Sequence, residues 1–228
     1  MTMTMYDLTI RIVAEVVSAI LCFILLRFMI KPYRLTGESR YLGLPLGFCF
    51  LGISYVLGAI ALSGLFSPYM ELAWIPLLAR TFAFSFLVVT YYFSKKPSKN
   101  TRLLWDITLG LLVIVLIASV AAVLIFPQLA ASSYMATQGY FRIFDIICLL
   151  YISFYTLRSH IRNPDPTTIW IPLGFILLGI SQYSLLIWVI DRSNFAFTGA
   201  MLIRLLGLVV FLAVSIRTFY SSSKRPIK

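Results

Sequence analysis

Charge is scarce in this chain. Only 12% of its 228 residues are Asp, Glu, Lys or Arg, about half the ~25% typical of soluble domains, and only eight are acidic. A water-soluble fold is excluded. The single histidine, His160, excludes a bis-histidine haem within one chain. It stands between Arg158 and Arg162 at the end of an apolar run and reads as an interfacial residue. The three cysteines, Cys22, Cys49 and Cys148, lie far apart inside apolar runs without CxxC spacing, which argues against a disulfide framework and a zinc site. With one edge histidine and no acid-rich loop there is no nucleophile, base and orienting group to assemble. No enzyme, catalytic residue, metal or cofactor is expected.

What fills the sequence instead is apolar: 61% of it is hydrophobic. A membrane-crossing helix needs about 20 such residues, and stretches bounded by charge, Pro or Gly predict spans at 8–30, 42–64, 72–94, 103–126, 138–158, 168–190 and 196–217. The fold class is therefore all-α, a polytopic integral membrane protein with seven transmembrane helices. Too few residues remain for a kinase, nuclease or nucleotide-binding domain, and no nucleic-acid partner is expected. β-barrel strands would alternate apolar and polar residues, and none do. The segment before the first span carries Asp7 and no Lys or Arg, unlike a cleaved signal peptide, so that helix is expected to stay.

Lys and Arg near span ends resist translocation. Fourteen of the 19 fall on one side, in the first, third and fifth connections and after the last span; Arg11, Arg142 and Arg192 lie on the other, and Arg80 and Arg204 fall within spans. The N-terminus is expected outside and the C-terminus cytoplasmic, in the cytoplasmic membrane. The tail 221–228 is basic enough to meet anionic lipid at the cytoplasmic face, although a plain anchoring role is the simpler reading.

The strongest internal signal is a repeat. Pro45 to Ser54 (PLGFCFLGIS) matches Pro172 to Ser181 (PLGFILLGIS) at eight of ten positions, 127 residues apart. Arg11, Arg27 and Lys31 correspond to Arg142, Arg158 and Arg162 at an offset of 131, and Arg80 to Arg204 at 124. The expected organisation is a three-helix repeat in 1–98, a linker helix in 99–130, a second repeat in 131–220 and the basic tail 221–228. Four spans separate equivalent helices, so the copies are expected to be parallel, related by an axis along the membrane normal.

Within the repeat, Pro45 and Pro172 suit a helix start, where the missing N–H costs nothing. Gly47, Gly52 and Ser54, with Gly174, Gly179 and Ser181, are small residues of the kind that let helix backbones approach closely. The expectation is that they pack span two against span six near the pseudo-twofold axis.

Charges inside the spans carry the functional hint. Glu15, Arg80, Asp145 and Arg204 each lie seven or eight residues into a span, on a common level roughly 10 to 12 Å from the outer face at 1.5 Å per residue. A charge in hydrocarbon costs at least about 2.5 kcal/mol, so pairing is expected, either as structural ion pairs or as a polar layer holding a solute, ion or proton. Aromatic residues expected at the membrane interfaces are Tyr33, Tyr41, Tyr69, Trp74, Trp105, Tyr134, Tyr140, Trp170 and Trp188. Tyr55 and Tyr183 lie deeper and read as packing. Span four, nearly unbroken Leu, Ile, Val and Ala, reads as a peripheral lipid-facing helix.

In its 3+1+3 arrangement of seven spans the chain resembles the SWEET sugar transporters and the microbial opsins. A retinal pigment is excluded, because no lysine lies between Lys99 and Lys224 to form a Schiff base. Prolines expected of a SWEET in spans one, two, five and six are present only in two and six. The two architectures imply different neighbours. A SWEET-like unit packs span one on three and pairs Glu15 with Arg80 and Asp145 with Arg204; an opsin-like ring pairs Glu15 with Arg204 and Asp145 with Arg80. Pairing within each copy is the favoured expectation, because a three-helix unit inserting alone would need its charges neutralised locally. Three function classes stand: a small-solute transporter, favoured by the duplicated polar layer; a receptor or sensor signalling through a separate partner; and an accessory subunit beside another membrane protein.

Overall fold

The computed structural model describes residues 5–36, 42–63, 74–93, 99–125, 127–162, 164, 169–191 and 193–222. They form seven helices: α1 (Met5–Thr36), α2 (Gly43–Leu62), α3 (Trp74–Phe93), α4 (Lys99–Ile125), α5 (Pro127–Arg162), α6 (Trp170–Asp191) and α7 (Asn194–Ser222), with no strand among the described residues. Each contains a segment long and apolar enough to cross a membrane, from Leu8–Lys31 in α1 to Asn194–Thr218 in α7. One expected connection is helical instead: Ala130 to Gln138 belongs to α5, which begins at Pro127 and runs for 36 residues. Proline suits that first position, where its fixed φ is already helical, and the alanines that follow favour continuation. The segment Ser67 to Met70, the cations Arg40, Lys95 and Lys96, and the tail beyond Ser222 lie outside the described residues.

Large apolar side chains point outward all round the bundle. Val13, Ile20, Ile114, Phe154 and Leu202 are each more than half exposed. Apolar surface on this scale needs acyl chains rather than water as its solvent, and the fold is that of an integral membrane protein.

Six helices form a ring in the order α1, α2, α3, α5, α6, α7, which closes because α7 packs on α1. The neighbour pattern is unchanged when α1, α2 and α3 are exchanged with α5, α6 and α7. Helix α4 stands outside the ring against α3 and α5, with 6% of its span buried against 67% for α3, which fits a lipid-facing helix. Its Leu116 packs on Phe82 and Phe86 of α3, and Trp105 inserts most deeply among its described residues; Gly43 makes room for it, since a Cβ at Gly43 would collide with Thr90 Oγ1 and approach the indole to 2.7 Å.

The repeated glycines do not close α2 on α6, as their sequence suggested. Gly47 receives Leu87 of α3, whose Cγ and Cδ2 would lie 2.7 Å from an added Cβ, and Gly174 receives Phe211 of α7 at 2.7 Å from Cζ. A bulky residue of the third helix of each set fills the notch, so each motif locks its helix to the next one along the chain. Gly52 faces Phe23 and Cys22 of α1, and Gly179 lies opposite Leu149 of α5. Pro45 and Pro172 are the third residues of their helices. Ser54 Oγ donates to the Pro76 carbonyl of α3 and Ser181 Oγ to the Ala200 carbonyl of α7, each at 2.8 Å. These acceptors stand 124 residues apart, like Arg80 and Arg204. Phe48, Phe175 and Phe211 meet edge to face at the centre of the main apolar core, with Phe48–Phe211 centroids 5.7 Å and Phe175–Phe211 centroids 4.7 Å apart.

Candidate functional site

Helical periodicity brings the polar groups inward. In α1 the buried positions are Arg11, Glu15, Ser18, Ala19, Cys22 and Leu25, and in α7 they include Phe197, Ala200, Met201, Arg204, Leu208 and Phe211. Each is a stripe repeating every three or four residues; that of α1 is charged or polar toward its start and apolar further along, whereas that of α7 sets Arg204 among apolar side chains. Glu15 lies near the start of α1, Gly58 near the end of α2, Arg80 near the start of α3, Trp188 near the end of α6 and Arg204 ten residues into α7. They line one cavity of about 330 Å³ together with Gln138 and Arg142 of α5. All six ring helices contribute to it and α4 does not. The volume falls at the small end of ligand sites, roughly 300 to 1,000 Å³.

The ion pair crosses between the two sets of helices, contrary to the favoured pairing. Arg204 Nη1 donates to Glu15 Oε1 at 3.0 Å, with both side chains buried. The reason is the helix order: α1 packs on α2 and α7, and α3 on α2, α4 and α5. Arg80 stays within its own set but meets a neutral group, donating from Nε to Ser54 Oγ at 3.3 Å. The two guanidinium groups share one aromatic ring. Arg80 Cζ lies 5.0 Å and Arg204 Cζ 4.4 Å from the centroid of Tyr55, which is fully buried.

Asp145 makes neither of the expected pairs. It is fully buried, and neither carboxylate oxygen makes a hydrogen bond of standard geometry; the groups that face it are the Thr81 hydroxyl and the guanidinium groups of Arg142 and Arg80. The offset of 131 that aligns Arg11 with Arg142 carries Glu15 to Ile146, so Asp145 sits one residue out of register. That turns it by about 100° around the helix, and its side chain is one methylene shorter. The structure thus brings Glu15, Arg80 and Arg204 into the cavity wall and leaves Asp145 behind it.

Other members were not singled out in the sequence. Arg142, read there as a membrane-edge residue, is buried in the cavity wall and donates from Nη1 to Gln182 Oε1 at 2.6 Å. Arg11 is also buried; its Nη2 donates to Asn194 Oδ1 at 3.1 Å, and its guanidinium carbon lies 4.1 Å from the Phe197 ring centroid. Gln182, a lone amide inside an apolar span and at Tyr55's place in the repeat, was the available signal for this second polar cluster. Tyr183 is instead largely exposed, and of the aromatic residues expected at the interfaces Trp74 and Trp105 are buried, while Trp188 lines the cavity. No family model matches the chain, and no curated protein or solved structure is significantly similar to it.

Proposed function

We propose that this chain is a carrier for a small solute, and that the cavity ringed by α1, α2, α3, α5, α6 and α7 is its binding chamber. The observation that carries the proposal is the convergence of Glu15, Arg80, Arg142 and Arg204 from four helices on one cavity in a largely apolar bundle. Ionisable groups held within spans are costly and mark solute or ion pathways. The exchange-invariant helix neighbours and the matching Ser54 and Ser181 bonds support two parallel copies, in 1–98 and 131–220, joined by a linker in 99–130. Parallel-repeat carriers bind substrate between the copies. With the N-terminus outside, as the lysine and arginine distribution favours, the chamber lies in the outer half, and the Phe48, Phe175 and Phe211 cluster separates it from the cytoplasm.

The test is uptake by the full chain in proteoliposomes, using radiolabelled lactate, mannitol, choline and alanine as anionic, neutral, cationic and zwitterionic probes. Uptake of at least one above protein-free liposomes is expected, falling in Glu15→Gln by more than the yield of folded protein falls. No uptake of any probe, or losses that merely follow folded yield, would overturn the carrier reading.

A further inference from the structure

We infer that the chamber selects a small organic monoanion, a carboxylate attached to an apolar body. This names the solute class for the carrier proposed above and rests on that site. The starting point is Arg80, a buried guanidinium in the cavity wall whose hydrogen bond and ring contact are both to neutral groups, the Ser54 hydroxyl and the Tyr55 ring, with Asp145 facing it but not bonded to it. Its Nε is engaged, and Nη1 and Nη2 make no hydrogen bond among the described residues. Arg204, on the same ring, uses Nη1 for Glu15 and leaves Nε and Nη2 buried without a hydrogen-bond partner. Glu15 bonds Arg204, and Asp145, although it faces Arg80, makes no hydrogen bond to either guanidinium. A second carboxylate is the missing complement. The free Nη1–Nη2 edge of Arg80 is a geometry that takes a carboxylate through two parallel bonds.

The remainder of the wall sets the rest of the molecule. Leu62, Leu77, Leu185, Met201, Trp188 and Phe197 present apolar and aromatic surface beside the arginines. A strongly hydrated dianion would lose more hydration against that surface, whereas an anionic head on an apolar body matches both parts.

Calorimetric titration of the detergent-solubilised full chain with benzoate, benzamide and benzylammonium tests the assignment, since the three share a ring and differ in charge. Benzoate is expected to bind at least tenfold more tightly than either of the others. Arg80→Gln should remove that preference, and Arg80→Lys should retain part of it. Preference for benzylammonium, equal binding of all three, no binding of any, or full retention of the benzoate preference in Arg80→Gln would overturn the inference. If Arg80→Gln does not fold, the three probes on the unaltered chain still decide. Benzoate binding without lactate uptake would remove the carrier reading and keep the anion site; uptake of choline or mannitol in preference to lactate would do the reverse.

Discussion

Removing either partner of the Glu15–Arg204 pair leaves an ion in a buried setting. The pair spans 3.0 Å between side chains exposed by only 8% and 2%, and breaking such a pair from one side costs about 3 to 5 kcal/mol. Glu15 borders the cavity, where water can solvate a charge left behind, so the lower end of about 3 kcal/mol is expected for Glu15→Gln and for Arg204→Gln. The double variant removes both charges and should cost much less than the sum. Reversible unfolding of the purified chain in mixed micelles, with all four members of the cycle, reads this directly. A coupling of about 2 kcal/mol or more is expected, at the upper part of the range for contacting residues. Cycles of Glu15→Gln with Arg80→Gln should couple less, because those two residues share no bond. Additivity of the Glu15 and Arg204 changes within about 0.5 kcal/mol, or stronger coupling to Arg80, would refute the crossed geometry.

Gly174→Ala should destabilise the fold by about 1 to 3 kcal/mol through overpacking, since its Cβ would meet Phe211 at 2.7 Å. Gly179→Ala, whose nearest neighbour would lie at 3.8 Å, should be nearly neutral in the same micelle unfolding assay; equal effects would contradict the packing described. Ser181→Ala should cost about 1 kcal/mol for one lost interhelical bond, and Ser54→Ala more, because Ser54 also accepts from Arg80. For orientation, single cysteines at Ser98 and Ser133 in a background lacking the native three should react with an impermeant reagent from outside only at Ser133. The opposite pattern would invert the bundle.

The helices were legible because a span is a local property: twenty apolar residues state it without reference to any partner. Burial of Glu15, Arg80, Asp145 and Arg204 was legible for the same reason, since a charge inside a span has to turn away from lipid. Who meets whom was not. Pairing depends on the order of helices around the ring, and Glu15 is compatible in sequence with either Arg80 or Arg204. Small residues at Gly47 and Gly174 announce a close approach without saying that Leu87 and Phe211 make it. Tyr55 illustrates the same limit: its depth suggested packing, but only the assembled ring places two guanidinium groups over it. Arg142 was hidden by its position near a span end, where α5 runs on as helix and turns the side chain inward.

Reactivity of single cysteines in the chamber wall measures whether the polar layer is an aqueous space. Leu77→Cys and Met201→Cys place thiols on the cavity lining, and Ile114→Cys places one on the exposed apolar face of α4. In membranes, a sulfonate-bearing thiosulfonate reagent is expected to modify Leu77→Cys and Met201→Cys much faster than Ile114→Cys, to do so faster than its ammonium counterpart, and to be slowed by benzoate. Rates at Leu77→Cys and Met201→Cys no higher than at Ile114→Cys with either reagent would mean that no solute reaches these residues, contradicting the chamber itself.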